Sequence, residues 1–575
     1  MAETEWNDVA FERALEQAAE GIIDAPGVRL SGRQLALLLE AAPRDPPDPQ
    51  QRRRLKSVDF REATITGTAS FSNATFSAKA DFKKVQFTDG AAFINTTFET
   101  VDFREARFPI ASFLNATFNR GADFGGATFG EDEALFTGAK FIGLTSFTIA
   151  KFTGVAMFNG ATFSRGADSS GATFTGASFS RDADFTGVSF RGNAKFDDAT
   201  FGAKADFNRV TFSRDAHFDR AKFEVATEFG QFDASDRLSL DEAVFLQRVK
   251  IKATALCASF TGAEFRRGAD IRLLSAEVWL DDTDFAEASL FAALPAQVIP
   301  EGGKEDAAPG AEMPADVKTR SRMSGEPAGK FGPRVLSLRG SRLASLTLSE
   351  VDLRECRFAD AHGLDDLRLE RVEFPRPPDG WQWVRGWPMR WTRRRTIAEE
   401  HHWRGWDQGR PPTASPHPRP PERPPDLGPD QIAGLYRQLR KGREDRRDEP
   451  GANDFYYGEM EMRRRSGPVA EGSILWVYWL VSGYGLRASR ALLALAITIA
   501  VLGAIPLARW GFRPAPPYGR ALLFALQSSI SLLRAPASPP GHETAGGQVI
   551  EIFLRLAGPL FFGLALLALR GRVKR

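Results

Sequence analysis

Cysteine is almost missing from this 575-residue chain: Cys257 and Cys356 stand alone. Two isolated thiols exclude a disulfide framework and a zinc-ligand cluster as organising principles, and they are compatible with a reducing compartment. Net charge is nearly missing as well. The chain carries 75 Lys+Arg against 73 Asp+Glu, formally +2, so no global field draws it to a polyanion. Its beginning, Met1 to Trp6, has no basic region followed by an apolar run, so a signal peptide is not expected. Chemistry-bearing motifs are missing too: there is no P-loop, HExxH, CxxC or nucleophile elbow. Gly325 to Lys330 lacks the spacing and the hydroxyl of a phosphate loop. Of the six histidines only His401 and His402 adjoin, and neighbours in a helix do not face one ligand. No catalytic, cofactor-binding or metal-binding residue is therefore assigned, and the expectation is a protein that is not an enzyme and takes no cofactor.

Phenylalanine is abundant and regular. It falls at 71, 76, 82, 87, 93, 98, 103, 108, 113 and 118, then continues through Phe124, Phe129, Phe141, Phe152 and Phe163 to Phe223. Alanine usually stands two residues earlier, as in Ala80-Asp81-Phe82. Neither a helix nor a flat strand produces a step of five or six, and a short period held this long is a solenoid signature. These units resemble the pentapeptide-repeat family. The resemblance implies a right-handed quadrilateral β-helix, with the large residue and the small residue two before it pointing inward. The predicted fold class is mainly β, with helical caps and a C-terminal two-helix transmembrane region. Four faces use about 22 residues, and coils stack about 4.8 Å apart. Residues 60 to 290 then make roughly ten coils and a rod on the order of 50 Å long. A sixth residue between phenylalanines reads as a bulged corner rather than a change of core. Acids before phenylalanine, such as Asp81 and Asp184, read as a solvated face.

The predicted organisation runs as follows. Residues 1–50 form a helical cap, and 51–291 form the β-helix. A disordered insertion rich in Pro, Gly, Ala and Glu spans 292–334, and leucine-centred repeats resume over 335–374. A Trp/Arg-rich cap (375–408) covers the last coil, and a Pro-rich linker follows (409–429). A helical pair spans 430–467, broken at Pro450-Gly451. Its sequence, Leu435-Tyr436-Arg437-Gln438-Leu439-Arg440 and Phe455-Tyr456-Tyr457-Gly458-Glu459-Met460, resembles the pair preceding the membrane part of some bacterial pentapeptide-repeat proteins.

The last segment, 474–575, is read as a membrane module with spanning helices at about 491–508 and 549–569. Arg487 and Arg490 before the first span, and Arg570, Arg572, Lys574 and Arg575 after the second, place both termini and the solenoid in the cytoplasm, at the inner membrane. The external loop also holds Arg509, Arg513, Arg520 and Arg534. Between the spans, Ala521 to Leu533 is too short to cross and suits a re-entrant helix. This order resembles the pore module of two-transmembrane ion channels. The filter position, however, holds Ser528, Ser529, Ser531 and Arg534, without the glycine or threonine of a potassium filter. Gly483-Tyr484-Gly485 lies before the first span and cannot serve as one. Glu551 and Arg555, four apart within the second span, are the candidate intramembrane pair, either neutralising each other or facing a pore.

The leading expectation is a membrane-anchored scaffold that offers a repetitive surface to a protein partner whose identity is open. The alternative is a channel-like oligomer, assembled through the membrane module, with the solenoid as its regulatory domain. Nucleic-acid mimicry is not expected. Residues 60–290 hold 25 Lys+Arg and 31 Asp+Glu, a net of −6 with basic residues interspersed throughout.

Overall fold

The computed structural model describes residues 4–5, 8–44, 52–164, 171–274, 276–295, 332–379, 381–384, 387–390, 393–406, 427–530 and 539–573. Most of the 292–334 insertion and of the Pro-rich linker lies outside them, as do Ser531 and Arg534. The chain divides into two units, 1–374 and 375–575.

The first unit is a parallel β-helix. One of its faces is a single sheet of thirteen short strands running from Thr4–Glu5 to Asp284–Phe285. Each coil delivers four inward side chains, and the rings of successive coils stack into four ladders. One ladder runs through Phe60, Phe82, Phe103, Phe124, Phe147, Phe174, Phe196 and Phe218, with neighbouring rings 4.7–5.4 Å apart. The opposite ladder, from Phe71 to Phe207, repeats at 4.8–4.9 Å. These two ladders meet edge to face along the axis, as at Phe124 and Phe136, whose planes cross at 90°. A parallel strand spacing and an aromatic stacking distance are nearly equal, so phenylalanine satisfies both at once. Beyond Phe223 the rings thin out, and Leu240, Ile251, Ile271 and Leu280 take the same inward places.

The corners explain the alternating five and six. After each residue of the two opposed ladders the chain makes a tight turn: Ala63 N–H donates to the Phe60 carbonyl (3.0 Å) and Val85 N–H to that of Phe82 (3.1 Å). The residue between is left-handed, as at Glu62, Asn73, Lys84 and Gly126. That is the type II turn, which fixes the step at five. The other two corners lack this turn, and the sixth residues sit there without moving the rings inward or outward. Both larger interruptions, around residues 165–170 and 296–331, fall at one such corner, the one that follows the Phe76-to-Phe212 ladder.

Aspartates before phenylalanine are more than a solvated face. Asp81, Asp102, Asp184 and Asp206 each accept the backbone N–H two residues on, at 2.8–3.2 Å, and so cap the turn. Several also pair with a neighbouring cation, as Asp102 does with Arg104 (2.5 Å).

The N-terminal segment contributes more than helices. α1 (Asp8–Ala19) and α2 (Gly32–Ala41) flank strands Ile22–Asp24 and Val28–Ser31, which pair with Ser57–Asp59 and Thr64–Thr66. At the other end Arg334–Ser337 and Leu346–Ser349 pair with Glu277–Trp279 and Ser289–Ala292, so the leucine repeats continue the same stack.

The second unit begins with a hairpin, Trp381–Val384 with Trp387–Arg390. It continues as α3 (Ala398–Arg404), α4 (Pro429–Asp445), α5 (Glu449–Ser466), α6 (Val469–Ser482), α7 (Ala488–Gly511), α8 (Tyr518–Ile530) and α9 (Ala545–Val573). The break expected at Pro450-Gly451 lies earlier, at left-handed Arg447. Pro450 and Gly451 open α5 instead, where proline costs no hydrogen bond and the Asp448 carboxylate caps Gly451 N–H (3.1 Å).

Candidate functional site

α7 and α9 are each long and apolar enough to cross a membrane, with mean hydropathy 2.5 and 1.9 over their most apolar 18 residues. Most of their surface is uncovered by the chain, and what they expose is Leu493, Ile497 and Val501 on one and Ile552, Leu556 and Leu560 on the other. α8 is packed against both: Ala521, Phe524 and Ala525 bury against Ile499, Leu507 and Leu554. Its last turn meets α9 where α9 has no side chain. A Cβ on Gly558 would lie 2.0 Å from the Ser529 carbonyl oxygen. Of the candidate re-entrant residues, Ser529 returns its hydroxyl to the Ala525 carbonyl (2.8 Å). Ser528 is fully buried, and its hydroxyl has no partner among the described residues.

Glu551 and Arg555 are hydrogen-bonded to each other along one side of α9. Glu551 lies six residues into the helix, about 9 Å along its axis, so the pair sits near one end of the span rather than at its middle. A third group joins it that sequence reasoning passed over. Glu543 arrives through a short antiparallel strand pair, Phe512–Arg513 with His542–Glu543, that closes off the segment containing α8. Burial raises its carboxyl, and the Glu551 carboxylate, hydrogen-bonded to it, raises it further. Seven residues of intervening sequence hide this contact, and only the strand pairing reveals it.

The helices that precede α7 hold a second polar site. Glu400, fully buried, accepts from Arg394 (2.6 Å), Arg404 (2.6 Å) and the Tyr436 hydroxyl (2.5 Å). Arg404 reaches on to Glu461 (3.2 Å), which also takes Arg464 (3.1 Å) and the Tyr484 hydroxyl (3.1 Å). The result is an alternating chain, Arg394–Glu400–Arg404–Glu461–Arg464, with one tyrosine hydroxyl on each glutamate. Burial would raise the Glu400 carboxyl, but Arg394 and Arg404 outweigh it and hold it down to about 2. Burial and the Glu461 carboxylate push the Tyr484 hydroxyl well above the usual phenol range. The network ties α3, α4, α5 and the α6–α7 turn into one body.

That turn is Gly483-Tyr484-Gly485, three consecutive left-handed residues (φ 55°, 61° and 75°). The triplet turns the chain from α6 into α7 and aims the Tyr484 ring at Tyr457 and Tyr478. The arginines of the Trp/Arg-rich segment, expected to belong to a cap on the last coil, serve this helical unit through Arg394 and Arg404. The side chains of Trp381, Trp383, Trp387 and Trp391 lie outside the described residues.

On the solenoid, one described grouping has the donor types of a cation site: Asp197, His217 and Asp219, with atoms within 4.8 Å of one another. Its groups are engaged already. Asp219 accepts from Ser239 (2.5 Å) and Asp241 N–H (3.1 Å), and His217 faces Asp219 and Asp215.

Compared with known proteins, residues 55–97, 82–128 and 174–222 match the family model for pentapeptide repeats (nine copies). Among solved structures the chain is similar to HetL, a pentapeptide repeat protein from the cyanobacterium Nostoc involved in heterocyst differentiation regulation. The two are 17% identical, and the match covers 48% of this chain and 94% of that one at a TM-score of 0.19. No curated protein matches the sequence.

Proposed function

The solenoid of this chain belongs to the pentapeptide-repeat family, and from that premise we propose that the protein is a non-enzymatic, membrane-anchored scaffold. The observation that carries the proposal is the pairing, on one chain, of a long rod of repeated surface with two 24-residue helices whose uncovered faces are apolar. Solenoids engage partners along extended faces, and the partner in this reading is another protein rather than a nucleic acid. Both interruptions of the repeat occur at one corner, which marks that side of the rod as the variable one. The anchor sits in the inner membrane with solenoid and termini in the cytoplasm, because basic residues cluster at the start of α7 and at the end of α9.

Cysteine labelling tests this. A cysteine at Gly541 should react with an impermeant thiol reagent in intact cells, and one at Arg575 should not. Cys257 and Cys356, both buried, should stay silent. Labelling at Arg575 from outside would overturn the topology.

The second reading, a channel-like oligomer assembled through the membrane module, is favoured by α8, short and wedged between the spans, with Ser528 buried and without a hydrogen-bond partner among the described residues. Exchanging Glu551 and Arg555 separates the two. In an anchor the pair still neutralises itself and insertion is unchanged. In a pore the local field reverses and conductance in bilayers changes.

A further inference from the structure

α6 has fourteen residues, about 21 Å, well short of the roughly 30 Å of a bilayer core. Its inner face is committed to the helical unit. Leu475, Tyr478 and Trp479 pack on Tyr457, Met460 and Tyr484, and Trp479 Nε1 donates to the Tyr457 hydroxyl (2.9 Å). Its outer face is the reverse of what water requires. Ile474 (71% exposed), Trp476 (50%), Val477 (53%) and Leu480 (52%) line it at helical spacing, and nothing among the described residues covers them. A helix apolar on both faces, yet packed on one, is short of a partner.

We infer that α6 lies in the membrane surface, with this outer face sunk into the headgroup and upper acyl region of the leaflet at which α7 begins. The inference rests on the membrane-anchored reading above. Continuity argues for lipid as the occupant: the Gly483–Arg487 turn leads directly into α7, and α9 also packs against α6. Side-chain chemistry agrees, because arginines flank the helix and its second half carries Trp476 and Trp479. Arg464 and Arg490 stand 4.9 and 5.2 Å from the Trp479 ring, and Arg463 to Arg465 immediately precede α6. Indoles and guanidiniums favour the headgroup level, and a leaflet rich in anionic lipid complements the arginines. The one acid of the helix, Glu471, is paired with Arg463 (3.4 Å). The ion-pair network then gains a purpose: through Tyr484 and Arg464 it holds a membrane-surface helix and the first span to the α4–α5 pair.

The test uses the full chain in nanodiscs of phosphatidylcholine and phosphatidylglycerol. Nitroxide labels go, singly, on cysteines replacing Ile474, Val477 or Leu480, with Leu493, Ile497 and Val501 of α7 as depth references. Relaxation by oxygen and by a nickel chelate reports depth. The three α6 labels should sit at one shallow depth, about 5–10 Å into the interface. Depth along α7 should instead increase by about 1.5 Å per residue. Four outcomes overturn the inference. If α6 labels are open to nickel while α7 labels are in lipid, α6 is solvated and the anchor still stands. Shielding from both agents means that protein, or a second copy, covers the face. Depth that climbs from 474 to 480 as it does in α7 makes α6 part of a span. Labels on α7 that sit in water would defeat the membrane reading itself.

Discussion

The interiors of the two units solve the problem of burial in opposite ways. Inside the solenoid almost every buried group is apolar and its neighbours are copies of itself, so each ring is held by the rings above and below. The interior of α3–α5 instead includes a chain of three arginines, two glutamates and two tyrosines, in which each charge is held by a group unlike itself. The apolar stack distributes its stability, whereas the ionic chain concentrates it, because a single missing partner strands a buried charge.

The largest effects should come from single truncations at either place, and the comparison is broken by what a second change does. Phe185→Ala should cost about 3–5 kcal/mol, read by denaturant unfolding of the purified protein in detergent. Glu400→Ala should cost about as much, since Arg394 and Arg404 lose their common partner. Adding Phe207→Ala to the first variant should destabilise further, because the ladder above the cavity is opened. Replacing Arg394, Glu400 and Arg404 together by methionine and leucine should recover most of the loss from Glu400→Ala. If the triple replacement is worse than the single one, the network is more than a set of mutually neutralising charges.

A smaller effect is expected from Tyr484→Phe, about 1.5 kcal/mol. It removes one hydrogen bond to Glu461 and leaves that carboxylate its two arginines. If α6 is held at the membrane through this contact, the same variant should raise nitroxide mobility at Val477.

Acid sharpens the contrast on the solenoid surface. Burial would raise the Asp102 carboxyl, but hydrogen bonds and charge from Arg104 prevail and lower it. A carboxyl depressed by folding contributes stability above its ordinary range and loses it as the pH falls through the folded value. Stability should therefore decline below about pH 4, and Asp102→Asn should flatten that decline. An unchanged slope would show that the pair contributes nothing. The smallest change should follow Asp184→Ala, about 1 kcal/mol for a lost turn cap. A loss equal to that of Phe185→Ala would sink the assignment of inward and outward places.

These variants probe residues of very different visibility. Phe185 was legible because a coil must return to the same place every four steps, so stacking imposes a period that the letters repeat. The sixth residues were legible as corner bulges for the same reason, although which corners accept them depends on the type II turns at Glu62, Lys84 and their equivalents. Asp184 looked solvated because sequence records its exposure but not the N–H of Thr186 beside it. Gly483-Tyr484-Gly485 was rightly separated from a filter, yet its role as a left-handed turn carrying a buried tyrosine had no local signature.

Periodicity therefore settled the β-helix, its inward residues and its approximate pitch, and long apolar runs settled the two helices able to cross a membrane. Both follow from one-dimensional regularity, since a repeated contact or a continuous apolar stretch is written in consecutive letters. Arg394, Glu400, Arg404, Glu461 and Tyr484 span some ninety residues without a period, and Glu543 meets Glu551 only where pairing with Phe512–Arg513 sets the entry to α9. Their partnerships depend on how α3 to α7 and the loop before α9 pack. A buried charge is tolerated wherever packing brings it an opposite one, and no spacing along the chain announces that place.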